Sequence, residues 1–417
     1  MTSVIAPKQR SLEYFWLAAW FGILAGLVEG LLFIGLQAAG ILVYTNAQIL
    51  WIAPVVNLLL FLLVGSGLWI GSKIIPKLPW LVVAIFAFSM LTVLDWLGVV
   101  LLEKLYRWAL ILLAAGSAVV ITRYFTSRLQ IWLNFSRRSL PWLVGFVLLV
   151  AIGLKTNAWL VEKRAVQNLP VAEPGAPNVV LIVADTLRSD HLSSNGYQRQ
   201  TTPTLDSLAA QGVSFQNAYS TSSYSLPSHV SLLTGKNIYE HAVEWDRPTA
   251  LIDEPIPTLP EMLQENGYRT GGFSANLFWV TREQGFNRGF AHFEDYNENL
   301  ADALIRPFYS RILKNVWYLL NPISNIIGRR SAEEINRSVL KWAAQDTDKP
   351  FFIFINYLDV HDPYLPPQPY RSIFSEQKNP GGILNNDLGR QDPQLSPEEL
   401  QSEIDAYDGA IAYLDAQ

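Results

Sequence analysis

The sequence predicts a chain of two domains: a multi-pass α-helical membrane domain at residues 1–165 and an α/β domain at 178–417, joined by a Pro-rich linker at 166–177. Three observations predict it. The length, 417 residues, exceeds one ordinary domain. Half of the residues are hydrophobic and only 16% are charged, where a soluble domain carries about a quarter. The charge is also divided: residues 1–165 hold 13 Lys/Arg and 5 Asp/Glu, a net +8, while 166–417 hold 18 and 31, a net −13, together the −5 of the chain. Ten of the 14 Trp lie in the first part and all five His in the second. The acidic second part excludes nucleic acid as its partner. With no cysteine in the chain, disulfides, thiolate metal sites and cysteine nucleophiles are excluded as well.

A membrane-spanning helix needs about 20 apolar residues. Five stretches qualify, at about 14–37, 48–71, 79–102, 107–124 and 140–160. Five spans exclude a signal peptide, which would be one short stretch before a cleavage site. Trp80, Trp108, Trp142 and Trp159 stand near span ends, where amphipathic rings favour the interface. Lys8, Arg10, Lys73, Lys77, Arg123, Arg128, Arg137 and Arg138 fall on one side of the spans. The other side has the uncharged 45–47 turn, Lys104 and Arg107. Positive loops stay inside, so the N-terminus is expected in the cytoplasm and everything after 165 outside it, in a plasma-membrane protein.

Glu29 and Asp95 lie within apolar spans, where carboxylates are costly and often functional. One reading is a hydrogen bond to a neighbouring helix or protonation. The other is substrate handling, such as contact with a lipid headgroup. Beyond the spans, NLPVAEPGAP at 168–177 reads as an extended tether.

The second domain opens with Asn178–Ala184, NVVLIVA, a β-branched run suited to a central parallel strand. Asp185 follows at its C-terminal end, where open α/β sheets bind ligands. A carboxylate there suits a hard metal ion, or caps a helix. Pro203, Leu205, Leu208 and Ala209 mark an amphipathic helix, Gly212 its C-cap, and Val213–Phe215 a second strand. A hydroxyl-rich loop from Asn217 then meets Pro227 and the apolar run VSLLTG. Proline is pre-shaped for a first helical turn. Ser225 therefore lies beside a helix N-terminus, either as its N-cap or as part of an anion site.

The strings VLIVADTLRSDHL, TPTLDSLAAQGVSFQNAYS, SLPSHVSLLTG, ENGYRTGGFSAN and FFIFINYLDVHDPYLPP occur in the order seen in sulfatases. Over about 176–417 the chain resembles that family, within the alkaline-phosphatase-like superfamily. The resemblance implies a mostly parallel sheet between helix layers. It implies a divalent cation, usually calcium, held by Asp185 and Ser225. It also implies Ser225 as nucleophile toward sulfur or phosphorus. In true sulfatases the nucleophile is formylglycine made from Cys or Ser, so here it would come from Ser225. Related phosphotransferases use an unmodified hydroxyl.

The chain departs from the family pattern at several points. Asp185-Thr186 stands where many sulfatases have two aspartates. His229 takes the place of the signature arginine, which weakens formylglycine conversion, and is carried as a site residue with Ser225 and His361. Gly-Gly-Phe-Ser-Ala-Asn276 replaces the usual Lys-Trp-His segment. His361, in the family's His-x-Pro position, would donate to the leaving group or bind the anion. The alternative is a structural loop histidine. His241 matches a family position or packs internally. His191 and His292 read as surface or capping residues.

Further on, Ser331–Glu334 and Ser396–Glu399 are capping boxes opening two helices, the first running through Trp342 and the second the last of the chain. Phe308, Ile312, Val316, Leu319 and Leu320 form an apolar stripe among Arg306, Arg311 and Lys314. It is read as core packing, with the membrane surface as the alternative. Residues 378–397 read as a loop. In the family a strand ending in Asp-His completes the metal site, and none follows here, so the chain is expected to be an inactive fragment lacking its C-terminal part. The expected function is that of a membrane-anchored, metal-dependent hydrolase of sulfate esters acting outside the cytoplasm. Its substrate would be an anionic ester on a lipid or surface glycan, beside membrane lipid. Two alternatives stand: a phosphoryl or lipid-headgroup transferase using unmodified Ser225, and a non-catalytic lipid-binding or regulatory pseudo-hydrolase.

Overall fold

The computed structural model describes residues 7–39, 41, 46–101, 104–244, 256–295, 300–345, 348–385 and 394–417. Residue 45 of the expected 45–47 turn, residue 102 of the third span, and 386–393 of the 378–397 loop lie outside these. Two compact units form: Met1–Trp159 with Glu298–Lys314, and Leu160–Asn297 with Asn315–Gln417. Helices α1 (Pro7–Ala38), α2 (Ile49–Ile74), α3 (Trp80–Leu101), α4 (Arg107–Ser127) and α5 (Leu129–Gln167) come first. Strand β1 (Val179–Ala184) follows, then α6 (Pro203–Gln211), α7 (Ser225–Thr234), α8 (Ile238–His241) and α9 (Leu259–Glu265). Next come β2 (Arg269–Ser274), β3 (His292–Glu294), α10 (Leu300–Ile305), α11 (Phe308–Leu320), α12 (Ala332–Ala343), β4 (Phe351–Tyr357) and α13 (Pro397–Ala416).

All five N-terminal helices are long and apolar enough to cross a membrane. The fifth differs from expectation at its start. Arg128 alone separates α4 from α5, so Arg137 and Arg138 lie inside a 39-residue helix rather than a loop. No glycine or proline interrupts 129–140, and Leu133, Ser136, Leu140 and Val147 give this helix a buried stripe. Helices α1 and α2 approach closely because Gly22, Gly26 and Gly30 recur every four residues along α1. A Cβ at Gly22 would lie 2.9 Å from Asn57 O, one at Gly30 would lie 3.1 Å from Ile49 O, and one at Gly26 would overlap the backbone of Ala53 and Pro54. Such small-residue stripes let helices associate where lipid supplies no hydrophobic drive.

Within this unit the intramembrane carboxylates meet a neighbouring helix. Asn57 Nδ2 donates to Glu29 Oε2 at 2.8 Å and to Asp95 Oδ2 at 3.2 Å. Glu29 Oε1 accepts the backbone N–H of Phe308 at 2.6 Å. The stripe on α11 does not pack into a core: Phe308 is buried, whereas Ile312, Val316, Leu319 and Leu320 are exposed.

The second unit is built on a parallel sheet of order β1-β4-β2-β3. Central β4, FFIFINY, is buried almost throughout. Its side chains alternate between two faces. Phe352 and Phe354 pack with Leu226, Val230 and Leu233 of α7, and Ile353, Ile355 and Tyr357 with Ile335, Val339 and Trp342 of α12. Helices thus cover both faces, as the expected α/β fold requires. Strand β2 is unforeseen by periodicity: Gly271 and Gly272 leave room for rings, since a Cβ there would lie 2.9 Å from Trp342 and 2.5 Å from Phe293. The expected strand at Val213–Phe215 is absent, both end residues being highly exposed. The segment pairs with no strand among the described residues, and an unpaired strand leaves its backbone groups unsatisfied. Nor is the linker a free tether, because Lys349 Nζ donates to Leu169 O at 3.1 Å and Pro170 O at 3.2 Å. Both capping boxes form as read, at Ser331 and Ser396.

Candidate active site

Parallel strands end together, and their C-terminal ends carry the site. In register, Ala184 of β1 faces Tyr357 of β4, and Ser274 of β2 faces Asn356. One residue past β1, Asp185 continues the ladder through its N–H to Tyr357 O at 2.9 Å. Thr186 then turns into the left-handed region at φ 61°, a sparsely populated conformation for a β-branched residue. Its hydroxyl donates to Val360 O at 2.8 Å, and its carbonyl accepts from Tyr407 Oη at 2.8 Å. These contacts from two other elements hold the turn and aim Asp185.

Ser225 is the first residue of α7, with Tyr224 before it supplying no side-chain cap. The Ser225 hydroxyl donates to Asp185 instead, at 3.1 Å from Oδ2 and 3.2 Å from Oδ1. Asn276 Nδ2 donates to the same Oδ2 at 3.0 Å. Asn276 is itself fixed, its Oδ1 accepting the N–H groups of Phe278 at 3.0 Å and Trp279 at 2.9 Å. Asp185 and Ser225 line a cavity of about 590 Å³, with Thr186, Tyr219, His229 and Lys236 among its other walls.

His229 is one turn along α7 and only 4% exposed. Its Nδ1–H donates to Ser225 O at 2.7 Å, and Nε2 accepts from Asn356 Nδ2 at 3.0 Å. Burial pulls its pKa down, with Asp185 and the Ser225 carbonyl opposing. The ring is a strut between α7 and β4. His241 is fully buried, its Nδ1 accepting from Val243 N at 3.1 Å and its Nε2 meeting Ser231 Oγ at 3.0 Å. His361 is half-buried in a loop, its Nδ1 2.9 Å from Asp362 O and 3.0 Å from Asp362 Oδ1. Burial works against its charged form, but Asp362 and the charge of Asp185 raise its pKa overall. It is not among the cavity walls that Asp185, Ser225 and His229 share.

Three residues of this constellation were not assigned roles from sequence. Asn356 carries a readable signal, a lone polar group near the end of the FFIFINY run; Asn276 does not, because the strand before it has no readable periodicity. Arg329 carries none. Its guanidinium donates to the carbonyls of Leu358, His361 (2.6 Å) and Pro363 (3.2 Å), clamping the His361 loop. Burial pulls it down to about 10. Away from the site, His191 and His292 are both bound internally: His191 Nδ1 meets Asp408 at 2.6 Å, and His292 bridges Glu162 and Glu294.

A family model described as Sulfatase matches residues 177–417, more than half of the chain. The chain belongs to the sulfatase family. The motif resemblance holds over the residues that build this sheet and cavity. Among curated relatives it is 24% identical over 287 residues to an arylsulfatase of Clostridium perfringens, covering 58% of this chain and 57% of the relative. It is 39% identical over 137 residues to an N-acetylgalactosamine-6-O-sulfatase of Bacteroides thetaiotaomicron, covering 32% and 25%. Similar solved structures include the phosphonate monoester hydrolase of Agrobacterium radiobacter (TM-score 0.43, 21% identity, 58% of this chain and 57% of that one). Another is the soluble domain of lipooligosaccharide phosphoethanolamine transferase A from Neisseria meningitidis (TM-score 0.40, 18% identity, 60% and 62%). The chain spans 57%, 25% and 47% of the length of the first three curated relatives it matches.

Sulfatases imply a divalent cation. Asp185 and Ser225 bring their oxygens together, but no group of three His, Cys, Asp or Glu that could hold a metal occurs among the described residues. Two side chains fall short of the six to eight oxygens calcium takes, and the Asp185 carboxylate already accepts from Ser225 and Asn276. By themselves these residues do not fit a cation. The chemistry they offer is that of a hydroxyl, a carboxylate and an amide.

Proposed function

We propose that the sulfatase domain cleaves sulfate esters with Ser225 as nucleophile, in a plasma-membrane protein whose N-terminus is cytoplasmic and whose sulfatase domain is outside. The observation that carries this reading is the Ser225–Asp185 pair at the head of α7. Asp185 takes the hydroxyl proton, and Oγ attacks sulfur. The Oγ–S bond forms as the S–O bond to the alcohol breaks, and the alcohol leaves with the proton that Asp185 took. Water then cleaves the Oγ–S bond, returning a proton to Ser225 and releasing sulfate. The first-turn N–H groups of α7 favour the anionic group. His229 and Asn276 position the pair rather than react. The substrate would be an anionic ester on a lipid or surface glycan. The named activities of the curated relatives support the sulfate reading.

A second reading, phosphoryl or lipid-headgroup transfer by an unmodified Ser225, is favoured by one observation. The position of the signature arginine is filled by His229, locked between Ser225 O and Asn356, so the formylglycine signature is incomplete. One experiment separates the two. The protein, reconstituted in liposomes, is assayed with nitrophenyl sulfate and nitrophenyl phosphate, and the peptide carrying residue 225 is weighed by mass spectrometry. Sulfate turnover supports the first reading. Turnover of phosphate alone, with serine intact, supports the second. No turnover of either overturns both.

A further inference from the structure

Helix α11 has its amphipathic faces reversed. Ile312, Leu313, Val316, Trp317, Leu319 and Leu320 project from one side, and all are exposed, from 42% at Ile312 to 80% at Leu319. The polar side turns inward. Ser310 and Tyr318 are buried, the Arg311 guanidinium sits 5.6 Å over the Phe33 ring, and Tyr318 Oη accepts from Ile327 N at 2.8 Å. A helix docked on a water-soluble core does the opposite, hiding its apolar stripe and showing its charges.

The head of the helix says what covers this face. Phe308 and Tyr309 belong to the same apolar cluster as Phe21 of α1, Phe61 of α2 and Phe88 of α3. The Phe308 N–H is bound by Glu29, and Tyr309 Oη donates to Leu91 O at 2.5 Å. Thus α11 begins among helices that are apolar enough to cross a membrane. Trp317 and the cations Arg306, Arg311 and Lys314 are the residue types that gather at a bilayer interface.

We propose that α11 is an interfacial helix whose Ile312–Leu320 apolar face is immersed in the lipid bilayer, with acyl chains as its partner. The chain has no cysteine, so single nitroxide labels report cleanly. Val316→Cys and Leu320→Cys variants of the whole protein are labelled and reconstituted in phosphatidylcholine vesicles. Collision with oxygen, which partitions into lipid, is compared with collision with a water-soluble nickel chelate. Leu149→Cys, exposed on α5, serves as the lipid reference, and Gln211→Cys, exposed at the end of α6, as the water reference. The expected result is a shift toward oxygen, matching Leu149→Cys. A reading that matches Gln211→Cys overturns the proposal. So does shielding from both reagents, which would mean that a protein surface, such as a second copy, covers the face. Leu313→Cys and Leu319→Cys, on the same side, replace any variant that fails to insert.

Discussion

The carboxylate of Glu29 on α1 accepts the backbone N–H of Phe308 at 2.6 Å, across 279 residues of sequence. It also accepts from Asn57 at 2.8 Å, so one buried side chain satisfies an orphan donor of α11 and an amide of α2. Glu29→Gln keeps an oxygen for one of them. Glu29→Leu leaves the Phe308 N–H buried without an acceptor, at about 1–3 kcal/mol, and leaves Asn57 with Asp95 alone at 3.2 Å. The leucine variant should melt clearly lower in detergent micelles and the glutamine variant close to wild type. Equal melting of the two would remove Glu29 as the fastening point of α11.

Glycine substitutions should split by neighbour rather than by helix. In a helix interior, Gly→Ala ordinarily stabilises by about 0.5–1 kcal/mol. Gly35→Ala should show that gain, because a Cβ there meets nothing within 4 Å. At Gly26 the new methyl would collide with the backbone of Ala53 and Pro54, which cannot move aside as a side chain can. Gly26→Ala should therefore lower the yield of folded protein and its melting temperature. A Gly26→Ala variant as stable as Gly35→Ala would show that α1 and α2 do not pack as closely as described.

What could be read from sequence was what depends on neighbours in sequence. The five apolar runs, the NVVLIVA strand and both capping boxes are local patterns, and they appear where expected, except that the fifth helix begins at Leu129, ahead of its apolar run. Strand β2 resisted because its burial comes from rings that fill the space over Gly271 and Gly272, and no periodicity records that. The face of α11 reads as core packing, yet it is exposed, because an apolar stripe has the same period whichever way it turns. The Asp185–Ser225 pairing was legible only through the family resemblance. Arg329 was not legible at all, since its partners are carbonyls about 30 residues away.

Stability of the second unit should fall at alkaline pH. His292 lies between Glu162 at 3.0 Å and Glu294 at 3.1 Å. Burial disfavours its charged form, but the two carboxylates outweigh this and raise it from 6.5 to about 9. A folded pKa above the unfolded one means the contribution is complete below 6.5 and is lost as pH rises through about 9. Glu294, lowered to about 2 against its burial by His292 and Arg330, gives the mirror case. Its contribution is present above about 4.5 and is lost toward pH 2. Melting temperature should drop between pH 7 and 10, and His292→Gln should flatten that drop. A wild-type profile that stays level over this range would break the assignment.

The proposed chemistry places its heaviest demand on Ser225. Its hydroxyl meets Asp185 at 3.1–3.2 Å, whereas Ser222 Oγ only accepts from Tyr224 N at 3.0 Å within its own loop. Removing a covalent nucleophile commonly costs orders of magnitude in rate, on the order of 10³-fold or more. Losing a turn contact costs only about 1 kcal/mol of stability. Ser225→Ala should thus abolish turnover of whichever ester the protein cleaves, while Ser222→Ala and Ser223→Ala keep most of it. Asn276→Ala should fall between them, because Asp185 Oδ2 loses its amide partner while Ser225 keeps its own. The Asn276→Ala loss should appear in kcat more than in KM, and Asn276→Gln should recover little, since the longer side chain breaks the contacts of Oδ1 with Phe278 and Trp279. If Ser225→Ala retained more than about a tenth of wild-type activity, a deficit too small for a lost nucleophile, the nucleophile would have to be sought elsewhere in the hydroxyl-rich loop, with Thr221 on the cavity wall the next to replace.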